Sequence, residues 1–93
     1  MRFSPALPIL PKRRRLDACR AGDHVVVATI DAAPARIDRL ASLGIMPGIA
    51  LRVQQTRPVV VVESDETVLA LEREIAAGVV VEEGDDPSKE AAE

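Results

Sequence analysis

Two side chains could ligate a transition metal, or act as nucleophile and base. They are Cys19 and His24, the only cysteine and the only histidine in the chain. A structural zinc site needs a full tetrahedral set of such ligands, and a catalytic one needs nearly as many plus water. One thiol and one imidazole, five residues apart, supply neither. Asp17 or Asp23 could complete at most a weak surface site, or two chains could share one. As a nucleophile, Cys19 would need a base that is itself held by an orienting group, and the neighbouring sequence implies no glycine-rich pocket. We therefore expect Cys19 to be a small semi-buried residue, and His24 to open a strand facing water. Glu72 and Glu74 do not pair as acid and base either, because residues two apart diverge on a helical turn. No phosphate-binding or dinucleotide fingerprint occurs. The residues point away from an enzyme.

Nucleic acid and proline-rich ligands are disfavoured by what the chain lacks. Its single aromatic residue is Phe3, so residues 16–81 contain none. Single-strand binders stack bases on aromatic rings along a basic groove, and SH3-type peptide grooves are aromatic-lined. Charge is also poorly placed for nucleic acid. Residues 1–15 carry Arg2, Lys12, Arg13, Arg14 and Arg15 with no acid, and residues 82–93 carry six acids against Lys89. The stretch between them is mixed and slightly acidic. A basic arm alone gives only salt-sensitive, nonspecific affinity. What remains is a protein-binding module.

With 93 residues the chain has room for one small domain, which buries only about 60% of its unfolded surface. No apolar run is long enough to span a membrane. Basic residues follow the N-terminal apolar stretch rather than precede it, the wrong order for a secretory signal. A lone cysteine suits a reducing compartment, so a cytoplasmic location is expected.

The elements follow from pattern. Three prolines within MRFSPALPILP forbid regular structure, so residues 1–15 read as a disordered basic arm. Leu16 anchors the entry, Gly22-Asp23 breaks the chain, and His24 to Ile30 (HVVVATI) is a strand. Residues 36–43 form a short helix, with Ile37, Leu40, Ala41 and Leu43 on its apolar face. Gly44 stands where a helix stops in a left-handed residue, and Pro47-Gly48 marks a tight turn. Ile49, Leu51 and Val53 alternate with Ala50, Arg52 and Gln54 along the next strand. Arg57-Pro58 interrupts it, and Val59 to Val62 resumes. A polar hairpin at Ser64 to Thr67 leads into the strand TVLAL. A single helical turn precedes Val79 to Val81, and residues 83–93 read as a disordered acidic tail. A mainly β fold of about five short strands with one helix between the first and second must curl to hide its edges. We expect a small SH3-like, partly open barrel over residues 16–82.

The stretch Arg36 to Gly48, RIDRLASLGIMPG, carries a resemblance. Arg39-Leu40, Leu43-Gly44-Ile45 and Pro47-Gly48 resemble the signature of the ferrous-iron transport protein A (FeoA) family. Leu16, Gly22-Asp23, Pro58, Thr67 to Leu71 and Ile75-Ala76 follow in the family's order. The resemblance implies a non-enzymatic accessory or regulatory protein of bacterial ferrous-iron uptake. Its partner would be the cytoplasmic side of a GTPase-linked Fe(II) membrane permease (FeoB-like), held without direct membrane insertion. It also implies transition-metal (Fe2+) binding, which the ligand count supports thinly. The alternative is a stand-alone relative of the SH3-like domain of iron-dependent repressors, acting as a peptide-binding or metal-sensing module. Homo-oligomer formation is left open. The expected contact is the corner Leu43, Gly44, Ile45, Met46, Pro47 and Gly48. There, Ile45 and Met46 are expected to stand partly in solvent beside a rigid double turn, an arrangement suited to a partner groove. The alternative is that Ile45 is core and Met46 merely exposed.

Overall fold

The computed structural model describes residues 12–65 and 67–84. Most of the basic arm, the acidic tail beyond residue 84 and the hairpin residue 66 lie outside the described residues. Strand β1 (Arg13–Arg15) leads through a 3₁₀ turn (Leu16–Ala18) to β2 (His24–Ile30) and helix α1 (Pro34–Ser42). Then come β3 (Ala50–Gln55), β4 (Val60–Glu63), β5 (Val68–Leu71), the one-turn helix α2 (Arg73–Ala76) and β6 (Val79–Glu83). All strands pair antiparallel in one sheet of order β1-β6-β2-β3-β4-β5. The fold is mainly β and open, as the pattern implied, with α1 shifted slightly towards the N-terminus.

Six strands stand where about five were expected. The extra one is β1, formed by three arginines assigned to the arm, so the sheet begins before residue 16. It also runs one residue past 82, to Glu83. The backbone ladder against β6 makes β1 a strand, with Arg13 opposite Glu82, Arg14 opposite Val81 and Arg15 opposite Val80. The Arg13 guanidinium reaches the Glu82 carboxylate at 3.0 Å. Because edge strands tolerate charge on both faces, the run RRR carries no hydropathy signal.

The interior is aliphatic. Leu16, Val25, Val27, Ile45, Leu51, Val53, Val60, Val62, Val79 and Val81 are all buried, and among the described residues no charged or polar side chain joins them. Fully burying each such side chain is worth about 1.5–3 kcal/mol. Along β2 the alternation breaks. Val25 and Val27 face the core, yet so does Ile30, because the register against β6 shifts between Val27 and Thr29. That bulge adds one residue and reverses which face the rest of the strand presents.

The two edges, β1 and β5, are not hydrogen-bonded to each other. The 3₁₀ turn after β1 instead packs against α2 after β5. Arg73 on α2 lies 3.9 Å from the Asp17 carboxylate and donates to the Thr56 carbonyl. Side chains thus tie together the gap that backbone leaves open.

Candidate docking corner

Helix α1 begins at Pro34, whose fixed φ suits a first helical position. Ala33 provides the N-cap without a side-chain hydrogen bond, and the Arg36 and Ile37 amides donate to the Ala33 carbonyl. The other end is built more tightly. Gly44 has φ +96°, its amide donates to the Ala41 carbonyl (2.9 Å), and the Ile45 amide donates to Leu40 (2.8 Å). These two bonds make a Schellman motif. Its accompanying apolar contact pairs Leu40 with Ile45, both buried.

The next bend is a type II turn. The Ile49 amide donates to the Met46 carbonyl (3.2 Å), Pro47 takes the second position, and Gly48 takes the third with φ +95°. The turn is bonded to β2 in both directions. Gly48 donates to the Val27 carbonyl (2.8 Å), and Val27 donates to Ile49 (2.9 Å). These five backbone hydrogen bonds and two glycines in the left-handed region therefore hold residues 44–49 in one shape.

This rigidity decides what the corner presents. Leu43 is 44% exposed and Met46 42%, but Ile45 is 0% exposed. Of the two readings of Ile45, exposed tip or core residue, the structure shows the core one. The Schellman geometry turns Ile45 back onto Leu40, so it is the core anchor of the corner. Gly44, Pro47 and Gly48 lie on its exposed rim. Beside Leu43 runs a groove of about 670 Å³ between α1 and the β5–α2 segment. Sequence reasoning missed this groove. Its only trace was the spacing of Arg36, Arg39, Leu40 and Leu43, which places all four on one flank of the helix.

The metal candidates are differently placed. Cys19 is buried, and its thiol donates to the Arg15 carbonyl at 3.7 Å. Burial pushes its pKa above the ordinary value, which nearby Arg14 opposes and Asp23 and Asp17 reinforce. A thiol held neutral is a poor ligand and a poor nucleophile. His24 is half-buried at the start of β2, opposite Arg52. The Asp23 carboxylate accepts from the Arg20 amide (2.9 Å) and pairs with Arg14 (3.4 Å). Asp17 pairs with Arg15 (3.4 Å) and Arg73. The two carboxylates that could complete a site are thus engaged by arginines. Among the described residues no group of three or more His, Cys, Asp and Glu side chains could hold a metal ion. The residues present do not fit the Fe2+ site that the resemblance implies.

A curled antiparallel sheet with one helix after its first long strand, an aliphatic interior and a cornered helix end defines a small SH3-like domain. The sequence profile of the FeoA domain matches residues 14–83. The chain belongs to the FeoA family. A solved FeoA protein from Chlorobium tepidum is 31% identical, covers 78% of this chain and 74% of its own, and superposes with a TM-score of 0.69. A manganese-dependent transcriptional repressor is 34% identical with a TM-score of 0.74, covering 82% of this chain but only 44% of its own. An iron uptake regulatory protein (FeoA) shares the fold at TM-score 0.73 and 20% identity, over 78% of this chain and 99% of its own. Comparison with curated protein sequences gave no match. Among the described residues no helix is long and apolar enough to cross a membrane.

Proposed function

We propose that this chain is a non-enzymatic accessory protein of ferrous-iron uptake, working in the cytoplasm by docking on a GTPase-linked Fe(II) permease of the FeoB type. The contact is the corner Leu43–Gly48, with Leu43 and Met46 as its apolar tips. One observation carries this reading. The two exposed side chains stand on backbone that is fixed by hydrogen bonds on both sides, so little ordering cost is left for association. Methionine adapts to an irregular partner groove.

The test is a pull-down of the permease's cytoplasmic portion by wild-type chain and by Met46→Asp. The expected result is loss of capture with an unchanged melting temperature. Capture that survives the substitution removes the corner from the contact. A second reading is favoured by the 34% identity to the manganese-dependent repressor. On that reading the chain is a free-standing SH3-like partner within a regulatory complex. It would then be captured from the soluble rather than the membrane fraction, and Met46→Asp would leave membrane association at background.

A further inference from the structure

Beyond the corner itself, we propose that the groove between α1 and β5 receives an extended partner segment in which carboxylates alternate with aliphatic residues, added as a further strand on β5. This rests on the docking role above and assigns its recognition chemistry. Three independent features converge there. First, β5 is an edge strand. It pairs only with β4, and no described residue makes a backbone hydrogen bond to its outer side. Val68 on this strand is 58% exposed, with none of the charges that usually blunt an edge. Second, the groove alongside is floored by aliphatic side chains, among them Leu40, Leu43, Leu71 and Ile75. Third, its α1 wall carries Arg36 and Arg39, one helical turn apart and exposed. Neither guanidinium pairs with a described carboxylate, whereas Arg13, Arg14, Arg15, Arg52 and Arg73 do; Arg20 and Arg57, away from this groove, share the lack of a described carboxylate partner.

Strand addition supplies what each feature lacks. A bound strand satisfies the open ladder, and its alternate side chains point to opposite faces. One set meets the aliphatic floor and the other reaches the rim. Carboxylates in the rim set accept from Arg36 and Arg39. The opposite wall carries Glu72, which repels an acid there and so fixes which way the segment faces. A lysine-bearing segment meets two cations and is rejected.

The experiment uses the full chain in two arms. In the first, the permease's cytoplasmic portion is titrated against wild type and the double variant R36E/R39E, while amide exchange of residues 68–71 is followed. In the second, the probe is a short peptide alternating valine with glutamate, set against its lysine counterpart. The charge reversal is expected to weaken both interactions about tenfold or more. The glutamate peptide is expected to bind and its lysine counterpart not, and the β5 amides are expected to slow on binding. Both arginines are exposed, so the melting temperature should hold. Undiminished binding by R36E/R39E, or unprotected β5 amides in a complex that forms, overturns the proposal. So does protection that rises with the chain's own concentration, which makes the occupant a second copy. Arginine-dependent peptide binding without any permease binding sustains the groove chemistry and refutes the permease as partner.

Discussion

Replacing Gly44 by alanine separates two accounts of how α1 ends. At φ +96° the residue lies where L side chains are strained, while a Cβ built there meets nothing within 4 Å. The whole cost of Gly44→Ala is therefore backbone strain and not collision, about 1–2 kcal/mol. Were the helix simply to continue through this position, the same change would stabilise it by about 1 kcal/mol, since alanine outranks glycine in helices. The two accounts differ in sign. In a domain of this size about 1 kcal/mol moves the melting temperature by roughly 4–8 °C, so the expected loss is roughly 4–16 °C. Thermal unfolding followed by far-ultraviolet circular dichroism reads it directly. Gly44→Asn, which tolerates a left-handed backbone better than alanine, should lose less, and Gly44→Val should lose at least as much as alanine. A melting temperature for Gly44→Ala equal to or above wild type would refute the Schellman ending and, with it, the fixed geometry of the corner.

Other outcomes follow from the same structure. Ile45→Ala should cost about 2–4 kcal/mol in denaturant unfolding, as core truncations do, whereas Met46→Ala should stay within about 0.5 kcal/mol. Equal costs would erase the distinction between anchor and tip. Arg73→Met removes a charged donor to the Thr56 carbonyl and a partner of Asp17. It should cost about 1–2 kcal/mol, and a change below about 0.5 kcal/mol would show that the sheet edges are not held there. The raised pKa of Cys19 means that the folded state keeps its proton where the unfolded state has lost one. The resulting stabilisation is full below the unfolded thiol's pKa and is lost as pH rises through the folded one. Wild type should therefore lose stability above about pH 8.5 more steeply than Cys19→Ala. Parallel pH profiles would contradict the buried neutral thiol.

The sequence made the long elements readable because each has a single dominant cause. β2 announces itself by β-branched residues, α1 by apolar spacing, and the corner by Gly44 and Pro47-Gly48 at the two positions that demand them. What it concealed depends on pairing between distant segments. Arg13–Arg15 form a strand only because β6 lies beside them. The bulge after Val27 restores Ile30 to the core against the simple alternation. Local pattern leaves Ile45 as either an exposed corner residue or core, and only the Schellman bonds to Ala41 and Leu40 decide that it folds inward. The groove is hidden for the same reason. Its walls, α1 and β5, are some thirty residues apart in the chain, and no local pattern records that they face each other.

An interior assembled from valine, leucine and isoleucine has an optical consequence. The chain contains no tryptophan or tyrosine, so it contributes almost nothing at 280 nm and has no intrinsic indole emission. Every binding partner that does contain tryptophan can be watched against a dark background. A single indole placed at position 46 would conversely be the only fluorophore of its kind in the protein, reporting on that one spot of surface alone.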